Sequence, residues 1–70
     1  MSADHVYKII EIVGTSHEGS DGAIQAALHR ARDTIKHIRW FEVVANRGFI
    51  DDKGATQYQV TLKIGFGLED

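Results

Sequence analysis

Arg39-Trp40-Phe41-Glu42-Val43-Val44 is the stretch on which the fold turns. It holds the chain's only tryptophan, follows a run with helical spacing, and begins a run with strand spacing. Successive side chains of a strand point to opposite faces of a sheet. The chain offers one helix to cover one face, and Trp40 is expected on the other. A domain this small cannot hide that second face alone. Another copy of the chain, a flat ligand, or both must cover it.

Upstream, from Asp21 to Ile38, the apolar residues Ala23, Ile24, Ala27, Leu28, Ala31, Ile35 and Ile38 recur at three- and four-residue steps. That spacing makes one helical stripe. Acidic Asp21 at its start and Lys36, His37 and Arg39 at its end suit the helix dipole. Ser16, Ser20 and Asp21 are all competent N-caps. Gly14-Thr15-Ser16-His17-Glu18-Gly19 breaks the pattern before it and reads as a loop. Before that, His5 to Val13 is rich in β-branched residues with apolar side chains on both parities, which predicts a strand with apolar contact on both faces.

Downstream, Trp40 to Ile50 reads as a second strand with an irregularity at Asn46-Arg47-Gly48. Asp51-Asp52-Lys53-Gly54 reads as a hairpin loop of the common four-residue size. Ala55 to Phe66 is the cleanest alternation, with Tyr58, Val60, Leu62, Ile64 and Phe66 on one side and Gln57, Gln59, Thr61 and Lys63 on the other. The fold class is therefore α+β, one βαββ unit in a single domain over residues 1–70. The first strand and the helix carry the chain back, so an antiparallel sheet needs the third strand in the middle, in the order 1-3-2, with the helix on one face.

Composition narrows the function. Seventy residues without cysteine have no disulfide to stabilise them. A chain of this size buries only about 60% of the surface exposed by its unfolded form. Oligomerisation is the remaining source of stability. A formal charge of −2 gives no general attraction to nucleic acid or to acidic membranes. The start Met1-Ser2-Ala3-Asp4-His5 lacks the charged-then-apolar order of a signal peptide, and no apolar run reaches spanning length. A cytoplasmic protein with no membrane partner is expected.

A hairpin closed symmetrically around Asp52-Lys53 pairs Ile50 with Ala55, Asn46 with Gln59, Glu42 with Lys63, and Trp40 with Gly65. Glu42 and Lys63 then make an opposite-charge cross-strand pair, and glycine opposite Trp40 leaves room for a large ring. Phe41 and Val43 fall under the helix with Val60, Leu62 and Ile64. Trp40, Glu42, Val44, Gln57, Gln59, Thr61 and Lys63 share the open face. Leaving the indole in water forfeits burial of about 150–250 Å², a few kcal/mol at about 25 cal/mol per Å².

Taken in order, Glu11-Ile-Val-Gly-Thr-Ser16, Ala26-Ala-Leu-His-Arg-Ala31, Trp40-Phe-Glu-Val43, Arg47-Gly48, and Tyr58-Gln-Val60 through Gly65-Phe66 resemble the dodecins over nearly the whole chain. The resemblance implies a small flavin-binding protein assembled as a hollow homododecamer. It implies two flavin rings stacked between tryptophans of two symmetry-related subunits, the residue here being Trp40. It also implies a glutamine on the last strand bonded to the polar edge of the ring, matched by Gln59, and an arginine near the ligand, matched by Arg47. Strict alternation puts Arg47 on the helix side, so its place at the ligand needs a bulge near Gly48. A second arginine that commonly follows the Gly-Phe of the last strand is Gly67 here. That departure counts against a preference for phosphorylated FMN and leaves riboflavin or lumichrome-like rings as plausible ligands. The implied role is flavin storage with photoprotective quenching, without turnover.

Other readings are weaker. Gly14-Thr-Ser-His-Glu-Gly19-Ser20 has the spacing of a phosphate loop but lacks its lysine. None of His5, His17, His29 and His37 stands three or four residues from another, so no helix-face metal pair exists. Arg32, Lys36 and Arg39 form a basic helical stripe that reads as a solvated face, the alternative being an anion site. No nucleophile and base converge, so no enzyme is expected. Two competitors from other classes stand: a structural homo-oligomer in which Trp40 only anchors an interface, and a small RNA-binding domain that stacks bases on the open sheet.

Overall fold

A computed structural model describes residues 4–68. The leading Met1-Ser2-Ala3, part of the reading against a signal peptide, lies outside the described residues. The elements are β1 (Tyr7–Ser16), α1 (Ser20–Thr34), β2 (Ile38–Ile50) and β3 (Thr56–Gly67). The sheet runs β1-β3-β2 with both pairings antiparallel. This is the expected α+β arrangement, in the expected strand order.

The helix sits unusually close to the sheet because both sides of the contact are small. Ala23, Ala27 and Ala31, spaced by one turn, are its buried residues. A Cβ placed on Gly14 of β1 would collide with the Ala23 carbonyl oxygen and the Ala27 methyl. Val60, Leu62 and Ile64 of β3 are fully buried below, with Ile12, Ile24 and Leu28 packed around the cluster. Gly14 is therefore a strand residue under the helix, and β1 runs on to Ser16 where a loop was expected. The helix starts from Gly19, whose φ of 142° is a conformation that favours glycine, with no side-chain cap. Ser16 Oγ instead accepts from Glu18 N at 3.0 Å, and Ser20 Oγ donates to Asn46 Oδ1 at 2.9 Å. The serines hold the turn and fasten it to β2.

At its other end the helix stops at Thr34, four residues short of the apolar stripe. Ile35 N still donates to Ala31 O at 2.8 Å, but Ile35 is already extended, and His37 takes a left-handed φ of 66°. Gly67 N donates to the His37 carbonyl at 2.9 Å, so the chain is captured by β3. Helical propensity of β-branched Thr34 and Ile35 is too weak to resist that capture. Lys36 and Arg39 fall beyond the helix, so the expected basic stripe does not form.

The β2–β3 register contains two offsets that cancel. Asp51 N donates to Ala55 O, and Gly54 N to Asp51 O, both at 2.9 Å. Asp51 Oδ1 accepts from Lys53 N and Ala55 N, each at 2.9 Å. Gly54, at φ 86°, supplies the left-handed position of a three-residue hairpin loop. The turn thus sets Ile50 opposite Thr56, not Ala55, and Asn46 opposite Val60, not Gln59. Between Val43↔Leu62 and Ala45↔Thr61 one extra residue, Val44, takes up the offset as a bulge. Glu42↔Lys63 and Trp40↔Gly65 then fall as expected. Val44 becomes the unpaired residue of the bulge, and Asn46 turns to the helix side, where it meets Ser20.

Phe41 and Val43 are a correction. They lie on the helix side, opposite Ile64 and Leu62, yet remain 45% and 43% exposed. The helix packs mainly on β1 and β3; its first residue, Ser20, bonds Asn46 of β2, and the rest of it leaves Phe41 and Val43 uncovered. An apolar ledge on β2 is therefore uncovered on the helix side as well.

Candidate functional site

The site is built on the glycines of β3. Gly65 and Gly67 fall on the parity opposite fully buried Ile64, so they face away from the helix. Trp40 stands opposite Gly65, just past an irregularity in the ladder between Ile38 and Trp40. A Cβ built on Gly65 would land on the indole at Cε2 and Cζ2. The ring rests where a side chain would otherwise be, and only glycine allows this. Among the described residues the indole nevertheless remains 39% exposed.

Tyr7 completes the shelf. It lies opposite Gly67 on β1 and packs against the indole in a T-shaped arrangement, with ring centroids 5.1 Å apart and planes at 73°. Sequence reasoning missed this residue. The signal for it was the Gly65-Phe66-Gly67 alternation, which clears a lane across the central strand.

Below the shelf, Glu11, Lys63 and Glu42 form one row across the three strands, with the lysine between the two acids. Further along, Thr15, Gln59 and Arg47 form another. The bulge that puts Arg47 beside Gln59 on the open face is the one at Val44, upstream of the expected place near Gly48. Trp40, Gln59 and Arg47 thus share one face, but not one spot. Six residue steps along β3 separate Gly65 from Gln59, about 20 Å at strand rise. A single flat ring system resting on Trp40 does not reach the Gln59 of the same chain.

The face is also more apolar than the sequence reading had it. Ile9, Val13 and Phe49 fall on the same side and are about half exposed. Elsewhere, a groove of about 470 Å³ opens between α1 and the free edge of β1, with Arg30 its only charged lining residue. His17 Nδ1 donates to Thr56 O at 3.2 Å, tying the loop before the helix to the hairpin. Among the described residues no three His, Cys, Asp or Glu side chains gather to hold a metal ion, and no helix is long and apolar enough to cross a membrane.

Comparison with known proteins agrees with this architecture. The dodecin family model matches residues 6–69. The dodecin of Thermus thermophilus is 57% identical over 65 residues, covering 93% of this chain and 94% of that protein. A solved dodecin from Streptomyces davaonensis superposes with a TM-score of 0.90 at 44% identity, covering 97% of this chain and all of that one. A protein named calcium dodecin, from Mycobacterium tuberculosis, is 36% identical over 63 residues, covering 90% of this chain and 89% of the other. With a family model spanning nearly its whole length and relatives matched almost end to end, the chain belongs to the dodecin family.

Proposed function

We propose that this protein is a homododecamer that binds riboflavin or FMN as stacked pairs between the Trp40 side chains of two copies, for storage and photoprotection in the cytoplasm, without turning the ligand over. One observation carries the proposal: the indole is seated on Gly65 with the Tyr7 ring steeply inclined against it, and it is still partly exposed. Indole and flavin are both extended π-systems that favour offset stacking. A two-fold axis lets one Trp40 close each side of a ligand pair.

The spacing along β3 adds that the site is composite. Because Gln59 lies about 20 Å from Gly65, the amide that reads the polar edge of a ring on Trp40 comes from another copy. A primary amide offers both a donor and an acceptor to that edge. Arg47, opposite Gln59, adds a cation at the same end. The small core supports assembly too. Phe41 and Val43 on one side of β2 and Trp40 on the other are all left partly in water by the single chain.

An excited flavin is a strong oxidant, which is the chemistry the ligand supplies. Trp40, in van der Waals contact, gives an electron and takes it back, and the excitation ends as heat. Gly67, where a cation would favour a phosphate, inclines the site toward riboflavin. The direct test is riboflavin emission on addition of protein: strong quenching is expected, and Trp40→Ala relieves it. A purely structural oligomer would leave the emission unchanged.

A further inference from the structure

We infer that Tyr7 is a positioning residue for the flavin site, holding the Trp40 indole against Gly65 with its outer face presented to the ligand. This rests on the flavin reading above. It adds a residue from a strand that does not adjoin β2.

β1 and β2 are both neighbours of β3 and not of each other. Their backbones are therefore about 10 Å apart, two strand spacings. Side chains standing upright on strands so far apart are normally screened from each other by those of the strand between. Here the screen is missing at two successive open-face positions. Gly67 stands opposite Tyr7, and Gly65 opposite Trp40. Both rings lean inward over the bare backbone of β3 and meet edge to face at 5.1 Å and 73°. That is the favoured geometry of an aromatic pair.

The contact limits the indole where the backbone does not. Trp40 follows a register shift, the pairing with β3 being irregular between Ile38 and Trp40. Gly65 bounds the ring on the sheet side, and Tyr7 bounds it toward β1. What is left open is the outward side. A ring already fixed in its bound orientation loses less freedom when a ligand stacks on it. Tyr7 acts through Trp40 and contributes its ring, not its hydroxyl.

The test compares Tyr7→Phe with Tyr7→Leu in the assembled protein, using riboflavin as the probe. Near-ultraviolet circular dichroism of the ligand-free protein reads indole immobilisation directly. The phenylalanine variant should keep the tryptophan band and bind riboflavin within about twofold of wild type. The leucine variant, apolar but without an aromatic ring, should lose most of the band and bind about three- to tenfold more weakly. Both should elute from size exclusion as wild type does. A leucine variant with wild-type dichroism and affinity overturns the inference. Equal losses in the two variants overturn it as well, since they would assign the effect to the hydroxyl. If wild type leaves riboflavin emission unchanged, the flavin reading fails, and the ligand-free dichroism still decides the role of Tyr7.

Discussion

The indole of Trp40 occupies the space in which a side chain at Gly65 would stand. Glycine is needed there for the room it leaves, and its conformational freedom is not in use. Gly65→Ala should therefore tilt the indole off the sheet. Overpacking of this kind costs about 1–3 kcal/mol, and riboflavin affinity should drop by about tenfold or more in a fluorescence titration. An alanine variant with wild-type affinity would show that the ring's seat on β3 is irrelevant to binding.

Gly14 carries the same kind of constraint on the other side of the sheet, against backbone instead of a ring. A Cβ there meets the Ala23 carbonyl oxygen, which belongs to a helix and cannot swing aside. Gly14→Ala should destabilise the protein by about 3 kcal/mol, at the upper end of overpacking costs. Thermal or denaturant unfolding measures it. A shift of less than about 0.5 kcal/mol, as at an ordinary surface site, would mean that the helix is free to lift.

The register shows how far the sequence could be read. Trp40 opposite Gly65 and Glu42 opposite Lys63 were legible, yet the symmetrical hairpin behind them was not the real one. Asp51, through its side chain, and Gly54, through its positive φ, make a three-residue loop, and Val44 absorbs the resulting offset. Alternation alone cannot show a bulge among the apolar residues Val43, Val44 and Ala45, since any of them could be the extra one. Arg47 reached the open face by that route. The helix end was misread because Ile35 and Ile38 continue the helical spacing while the backbone has already been captured by β3. Phe41 and Val43 were assigned to the core because parity gives a face and not the width of the element above it. Tyr7 was missed because its contact passes over a strand.

The separation of Gln59 from the Trp40 shelf makes complementation between copies a sharp test. Gln59→Ala alone should weaken riboflavin binding by about 1–3 kcal/mol, the worth of one or two hydrogen bonds, without changing the size of the assembly. Trp40→Ala alone should abolish quenching. Assemblies re-formed from a mixture of the two variants should recover part of the quenching, since some sites receive Trp40 from one chain and Gln59 from another. No recovery in well-mixed assemblies would place both residues of a site on one chain.

Gly67 offers a gain-of-function check on ligand preference. It lies on the open face opposite Tyr7, one row from Trp40. Gly67→Arg should raise affinity for FMN over riboflavin by about three- to tenfold, through a charge-assisted contact to the phosphate. The gain should shrink as salt is added. Equal effects on the two ligands would show that position 67 does not face the phosphate.

The central claim, that Trp40 stacks on a flavin, is met most directly by titrating riboflavin with the ligand-free protein and following flavin emission. Strong, saturable quenching is expected, and Trp40→Ala should remove it while the oligomer persists. Emission that stays constant through the titration, or quenching that survives the loss of the indole, would contradict it.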